Sequence, residues 1–184
     1  DSNGRAYTVQ ASELPSARGD GVPASSLVEV QEGGRILHCV AGKPQTRVLV
    51  AGSGGYGFIA TLGDMVSTRR AGREFMTLGQ GEVPLAPFVF EESPGNYVAA
   101  LSERGRLLLF SIAEMKRLAR GRGVIVMGLE ADEKLAAVAV SDRQALGVTG
   151  IAPRSGKPKT LTLVGEKLAH YCGHRARMGR VLPE

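Results

Sequence analysis

Residues 47–65 read RVLVAGSGGYGFIATLGDM. A short apolar run is interrupted by Ser53-Gly54-Gly55, a second apolar run follows, and the stretch ends on the acidic Asp64 and the large apolar Met65. Because glycine reaches positive φ without a Cβ clash, the interruption predicts a β-hairpin turn. Short runs rich in Val, Ile and Phe between glycine clusters are typical of strands, so the stretch predicts a strand-turn-strand unit.

The same pattern recurs along the chain at a nearly constant period. The last glycines of the equivalent turns are 51, 50 and 51 residues apart, at Gly4, Gly55, Gly105 and Gly156. An acidic residue follows each glycine by nine or ten positions, at Glu13, Asp64, Glu114 and Glu166. Four basic, glycine-containing boxes come next, and we number them 1 to 4: Arg18–Gly21, Arg69–Arg73, Arg120–Gly123 and Arg175–Arg180. Three features that share one period indicate a structural repeat.

The size of the repeat predicts the fold. Each full period holds four short β-like runs, such as 47–51, 57–62, 75–78 and 85–90 in one repeat. About 50 residues with four strands match one propeller blade, whereas helical repeats would show a 3.6-residue periodicity that is absent here. We therefore predict an all-β, propeller-like β-pinwheel of four-stranded blades. The single repeat domain at 1–184 would be a fragment, with a partial blade at 1–34 and blades at about 35–82, 83–132 and 133–184.

Composition excludes several classes of protein. With 43% hydrophobic and 22% charged residues in 184, the chain has the balance of a folded globular protein. No window approaches the ~18 consecutive apolar residues that cross a bilayer, and residues 1–9 lack the features of a signal peptide. Cys39 and Cys172 lie 133 positions apart and form no disulfide framework. We expect a cytoplasmic protein with no membrane insertion.

The positive charge is concentrated in the boxes. The windows 69–73, 116–122 and 175–180 hold 10 of the 23 basic residues and no acidic residue. Arginine forks bind phosphate oxygens in pairs, and neighbouring glycines let backbone amides approach an anion. Radial repetition would bring the boxes to one rim as an arc of positive charge. The candidate phosphate-binding residues are Arg18, Arg69, Arg70, Arg73, Lys116, Arg117, Arg120, Arg122, Arg175, Arg177 and Arg180.

Five stretches of the chain carry a resemblance to a known family: Leu14–Gly19, Gly55–Phe58, Arg70–Arg73, Gly105–Phe110 and Arg120–Gly123. In these stretches the sequence resembles the C-terminal domain of the A subunit of bacterial type IIA topoisomerases. The resemblance covers residues 1 to about 127 well and is looser in the last repeat. The glutamine-led heptapeptide box of gyrase A is shorter and degenerate here, which favours the topoisomerase IV branch.

The resemblance implies a β-pinwheel that binds and bends double-stranded DNA beside a separate cleavage core. It implies partners, namely the rest of the topoisomerase IV A subunit and the B subunit, in an A2B2 assembly on the bacterial chromosome. The domain would assist decatenation and supercoil relaxation by selecting the DNA segment or crossing. We expect no catalytic residue, cofactor or metal in this chain, because by resemblance the ATP and Mg of the parent enzyme belong to other domains.

Other interpretations of the sequence have weaker support. A propeller that binds a protein partner is the main alternative to DNA binding. The segment Gly52–Gly57 fits the G-x-G-x-x-G pattern, but it leads into a β-like run, whereas a dinucleotide site requires a helix there. A zinc site would require the first and last repeats to meet, and its possible ligands are His38, Cys39, His170, Cys172 and His174.

Overall fold

The computed structural model describes residues 1–16, 18–151 and 156–183. Two positions of the repeat pattern lie outside these ranges: Ala17 of the stretch Leu14–Gly19, and Ser155 before the fourth turn glycine. The strands are β1 (Arg5–Ala6), β2 (Arg47–Ala51), β3 (Tyr56–Thr61), β4 (Arg73–Glu74), β5 (Phe88–Phe90), β6 (Tyr97–Ser102), β7 (Arg106–Ser111), β8 (Val124–Ile125), β9 (Leu135–Ser141), β10 (Ala145–Ile151), β11 (Pro158–Val164) and β12 (Arg180–Val181).

The helical segments are all short, which confirms the all-β prediction. The α-helices of the described residues are α1 (Ala24–Leu27) and α2 (Gly165–Ala169). Three turns of 3-10 helix accompany them, at Ala11–Glu13, Leu62–Met65 and Ile112–Glu114. The described residues contain no helix long and apolar enough to cross a membrane.

The predicted hairpins form at the turn glycines. Strands β2 and β3, β6 and β7, and β10 and β11 pair antiparallel on either side of the second, third and fourth turns. All four turn glycines have positive φ: 79° at Gly4, 87° at Gly55, 73° at Gly105 and 64° at Gly156. The prediction that these turns require a left-handed residue is confirmed, and glycine fits there because it has no Cβ.

The sheets combine strands from consecutive repeats. The two four-stranded sheets have the orders β5-β2-β3-β8 and β12-β7-β6-β9, and two-stranded sheets pair β1 with β4 and β10 with β11. After each of the first three turn glycines, the following strand (β1, β3 or β7) pairs with a short strand of the next repeat (β4, β8 or β12). We call this arrangement the strand exchange. It corrects the expectation that the four β-like runs of one repeat, such as 47–51 and 75–78, form one sheet, because a short apolar run does not specify its partner strand.

A glycine at the last or last-but-one position of three boxes makes the strand exchange possible. Gly72, Gly123 and Gly179 have φ of 62°, 82° and 72°. A Cβ on them would lie 2.5, 2.0 and 2.6 Å from the carbonyl oxygens of Ala6, Gly57 and Leu107, respectively. These distances are far below van der Waals contact, so a side chain would push the exchanged strand off its neighbour. We expected the box glycines to let amides approach phosphate; these three instead allow close contact between repeats.

The acidic residue after the turn glycine shapes the chain locally. The side chain of Asp64 accepts a hydrogen bond from the Thr61 N–H at 2.8 Å, and the Asp64 N–H donates to the Thr61 hydroxyl at 3.2 Å. This reciprocal capping box satisfies N–H groups at the start of the 3-10 turn. Glu114 accepts the N–H of Arg175 at 3.0 Å and so connects box 4 to the preceding repeat. These two periodic acids stabilise the fold.

The core lies on both faces of the central sheets. One cluster between the two four-stranded sheets includes Leu49, Ile59, Phe110 and Val126. A second cluster covers the opposite face of β2 and β3, where the rings of Phe58 and Phe75 are 5.5 Å apart. Because both faces of the hairpin are buried, its strands are continuously apolar instead of alternating between apolar and polar residues.

Candidate nucleic-acid interface

Periodic backbone hydrogen bonds fix the positions of the boxes. The N–H of Glu29, which follows box 1, donates to the carbonyl of Arg70 in box 2 at 2.9 Å. The N–H of Thr77, after box 2, donates to Gly121 of box 3 at 3.0 Å, and the N–H of Gly128, after box 3, donates to Arg177 of box 4 at 3.0 Å. Each box therefore lies beside the segment that follows the previous one. The boxes occupy equivalent places in consecutive repeats.

Most of the predicted phosphate-binding cations are accessible. Three of them are half-buried: Arg73, Arg122 and Arg175. The other eight are exposed: Arg18, Arg69, Arg70, Lys116, Arg117, Arg120, Arg177 and Arg180.

Five of the exposed cations are free to bind a ligand. Within residues 1–16, 18–151 and 156–183, their side chains form no hydrogen bond or ion pair, and all four boxes or their flanks contribute at least one of them. We call them the free cations: Arg18, Arg69, Lys116, Arg120 and Arg177. Arg18 is two residues from Asp20, which partly offsets its charge. Unpaired side chains with long flexible stems present their charge to water, where a polyanion can reach them.

Arg122 is held by neighbouring side chains. Its guanidinium donates a hydrogen bond to Glu82 at 2.9 Å and stacks 4.3 Å from the ring centre of Tyr56. The second carboxylate oxygen of Glu82 accepts the Gly79 N–H at 2.7 Å, so the acid is itself anchored. Cation–π stacking and the ion pair give this arginine a structural role beside β3.

Arg117 shares a carboxylate with an arginine outside the boxes. Glu92 accepts a hydrogen bond from Nη1 of Arg117 at 2.9 Å, a further contact from Nη2 of the same guanidinium, and one from Nε of Arg47 at 3.2 Å. The hydrogen bonds from Arg117 lower the pKa of Glu92 below its ordinary value, and Glu92 in turn raises the pKa of Arg117. Sequence analysis missed this pairing because Glu92 lies 25 positions before Arg117, outside the charge windows.

Three further box arginines bind elsewhere on the protein. Arg70 donates to the carbonyl of Ser26 at 2.7 Å. Arg175 donates to the carbonyl of Ile125 at 2.6 Å, which fixes box 4 beside β8. Arg180 donates to Nδ1 of His170 at 2.8 Å. The predicted set thus divides into free cations, cations with structural partners, and the half-buried Arg73, which lies in β4 and whose side chain forms no hydrogen bond or ion pair within the described residues. Residue type alone does not make this distinction.

The dinucleotide site and the zinc site considered from the sequence are not formed by the described residues. Gly52–Gly57 spans the hairpin turn and leads into β3, so its glycines do not open a helix as a dinucleotide site requires. His38 approaches the carbonyl of Pro84 at 3.3 Å, whereas His174 lies 3.5 Å from Glu114. In the part of the chain that the structure describes, no three His, Cys, Asp or Glu side chains are grouped as metal ligands.

Known proteins are similar to this chain in sequence. The family described as DNA gyrase C-terminal domain, beta-propeller, matches residues 2–41 and 96–142. The A subunit of DNA topoisomerase 4 from Neisseria gonorrhoeae is 38% identical over 98% of this chain and 23% of its own length. The same subunit from Pseudomonas aeruginosa is 32% identical over 100% of the chain and 24% of its length. The chain thus spans about a quarter of the curated relatives it matches.

Solved structures agree with this result. The E. coli ParC C-terminal domain superposes with a TM-score of 0.86 at 27% identity, covering 98% of this chain and 74% of that one. The DNA gyrase A C-terminal domain superposes with a TM-score of 0.72 at 17% identity, over 97% of this chain and 56% of that one, and shows the shared fold alone.

The exchanged strands and the box in each repeat define a β-pinwheel domain of the gyrase type. The chain is similar to the DNA gyrase C-terminal domain, beta-propeller family over the matched residues. The relatives that it matches over nearly its whole length are the A subunits of DNA topoisomerase 4, which confirms the resemblance predicted from the sequence.

Proposed function

We propose that this chain is a non-catalytic domain, from the A subunit of topoisomerase IV, that binds and bends double-stranded DNA. The observation that carries the proposal is the equivalent placement of four basic boxes in consecutive repeats, fixed by the periodic bonds from Glu29, Thr77 and Gly128. Each box or its flank presents at least one free cation. A duplex that follows the boxes would meet positive charge once per repeat.

The chemistry of the free cations favours contact with the DNA backbone. Lysine and arginine at the ends of flexible stems bind phosphate oxygens, and these contacts position a duplex without reading its sequence. Recognition would then depend on how easily the duplex bends. Bending a 20–30 base-pair site costs of the order of 1–6 kcal/mol, which added phosphate contacts offset.

In the whole enzyme, the domain would act beside the DNA-cleaving part of the A subunit, with the B subunit in an A2B2 assembly in the bacterial cytoplasm. It would select the DNA segment or crossing for strand passage and so assist decatenation and supercoil relaxation. It would need no cofactor of its own, because ATP and Mg would act in other domains of the enzyme.

The salt dependence of DNA binding tests the proposal. If about six to eight cations neutralise phosphates, a plot of log affinity against log salt has a slope of roughly −5 to −7. The measurement is fluorescence anisotropy of a labelled 40-base-pair duplex, with bending followed by energy transfer between its ends. Random duplexes of equal flexibility are expected to bind alike. A slope near −1, without bending, would contradict the proposal and favour a protein-binding propeller.

Arg120 and Arg122 make a matched pair two residues apart. Arg120→Ala removes a free cation and is expected to weaken duplex binding roughly eightfold at 0.1 M salt, with the free energy of unfolding almost unchanged. Arg122→Ala removes the contacts with Glu82 and Tyr56, so it is expected to lower the free energy of unfolding by about 1 kcal/mol and to weaken binding less. Anisotropy titration and urea unfolding measure both effects. If Arg122→Ala weakened duplex binding more than Arg120→Ala, the DNA would contact Arg122 and not Arg120.

A further inference from the structure

Glu92 holds two arginines that come from different repeats. Arg47 is the first residue of β2, and Arg117 lies in the segment that runs beside Ile59 of β3, just before box 3. Glu92 follows β5, the neighbour of β2 in the sheet. The three side chains meet at the surface, where Glu92 retains 37% of its side-chain exposure.

The geometry around Glu92 is that of an anion site. A carboxylate contacted by two nitrogens of one guanidinium uses the same planar fork that binds a phosphate. Here the carboxylate also accepts a hydrogen bond from Arg47. Two positive charges around one negative charge leave an excess of one positive charge at this position.

A second ion pair of the protein, between Glu133 and Arg106, has the buried geometry of a carboxylate with a structural role. Glu133 is 0% exposed at its side chain, pairs with Arg106, which is 11% exposed, and also accepts the backbone N–H of Glu130 at 2.9 Å. Glu92 is exposed, and its side chain accepts hydrogen bonds from the two arginines without any from the backbone in the described residues. Exposed ion pairs contribute little to stability, so Glu92 can leave its arginines at small cost.

We infer that Arg47 and Arg117 form a phosphate-binding site for the DNA backbone, in which Glu92 occupies the anion position until DNA displaces it. The inference rests on the proposed function. It adds to it a DNA contact outside the boxes, Arg47, and a carboxylate of the protein itself, Glu92, that competes with the DNA phosphate. Glu92 is an ionised carboxylate throughout the neutral pH range and competes there, and the hydrogen bonds from Arg117 lower its pKa further.

The test compares Glu92→Gln with Glu91→Gln. Both substitutions add one unit of net charge at adjacent exposed positions, but the side chain of Glu91 holds no arginine in the part of the chain that the structure describes. With the 40-base-pair duplex at 0.1 M salt, Glu92→Gln is expected to bind roughly five- to tenfold more tightly than Glu91→Gln. Its salt slope is expected to be more negative by roughly 1.

The double variant completes the test. Arg47→Ala is expected to weaken binding when Glu92 is already glutamine, and to remove most of the gain that Glu92→Gln produces. Equal binding by the Glu92 and Glu91 variants, or a gain that survives Arg47→Ala, would overturn the inference. Thermal unfolding of each variant checks that the fold is intact. A chain that binds no duplex at all would contradict the proposed function itself, so the two failures are distinguishable.

Discussion

Gly123→Ala is expected to lower the free energy of unfolding by about 3 kcal/mol or more. The residue has φ of 82°, where a non-glycine residue costs about 1–3 kcal/mol. The added Cβ would also lie 2.0 Å from the carbonyl oxygen of Gly57, so the backbone of β3 or β8 must move. Such a shift breaks the pairing between Gly57 and Val124 in the exchanged strand. Urea unfolding followed by circular dichroism measures the loss.

Gly105→Ala is the matched control. Its φ is 73°, but a Cβ there would meet nothing within 4 Å. Only the backbone penalty applies, so a loss of about 1 kcal/mol is expected. Equal losses in the two variants would show that the close approach between repeats at box 3 is not what requires glycine.

Four free cations are neutralised together: one in box 2, one in box 4, one in box 3 and one just before box 3. We expect this change to weaken duplex binding roughly 4 × 10³-fold at 0.1 M salt. The quadruple variant replaces Arg69, Lys116, Arg120 and Arg177 by glutamine. Each lost phosphate contact removes about 0.9 from the magnitude of the salt slope, so four contacts remove about 3.6. Stability is expected to change little, because exposed side chains without partners contribute little to folding.

A charge-matched variant separates local contacts from net charge. It replaces four exposed cations outside the boxes by glutamine: Arg35, Lys43, Lys134 and Lys167. We expect this variant to retain most of the affinity and the slope of the unmodified chain. Equal losses in the two quadruple variants would mean that DNA responds to the overall charge of the domain and follows no track along the boxes.

Local features of the fold could be predicted from the sequence. A turn glycine such as Gly55 and its flanking apolar runs carry their own signal, because hairpin geometry depends on neighbouring residues. The partner of a short strand has no such signal. Arg73 and Glu74 pair with Ala6 and Arg5 across the whole intervening repeat, and nothing in the two sequences specifies that choice.

The sequence predicts the candidate site only in part, and binding by its residues stays a prediction. Repetition of the boxes identified the cations, and the structure places box 3 beside the segment after box 2, and box 4 beside the segment after box 3. Which cations are free could not be predicted, because the acids that bind Arg117 and Arg122 come from distant positions, Glu92 and Glu82. A charge count within a window does not include partners that only the fold brings close.

The strand exchange has a consequence for synthesis on the ribosome. The paired residues of the exchanged strands lie 67 to 75 positions apart in the chain. Synthesis adds about 5–20 residues per second, so the edge of each strand that follows a turn glycine stays unpaired for roughly 3–15 s, until its partner strand has been made. During that interval the edge offers unpaired N–H and C=O groups to other nascent chains. Folding of this protein must follow translation with a delay of more than one repeat.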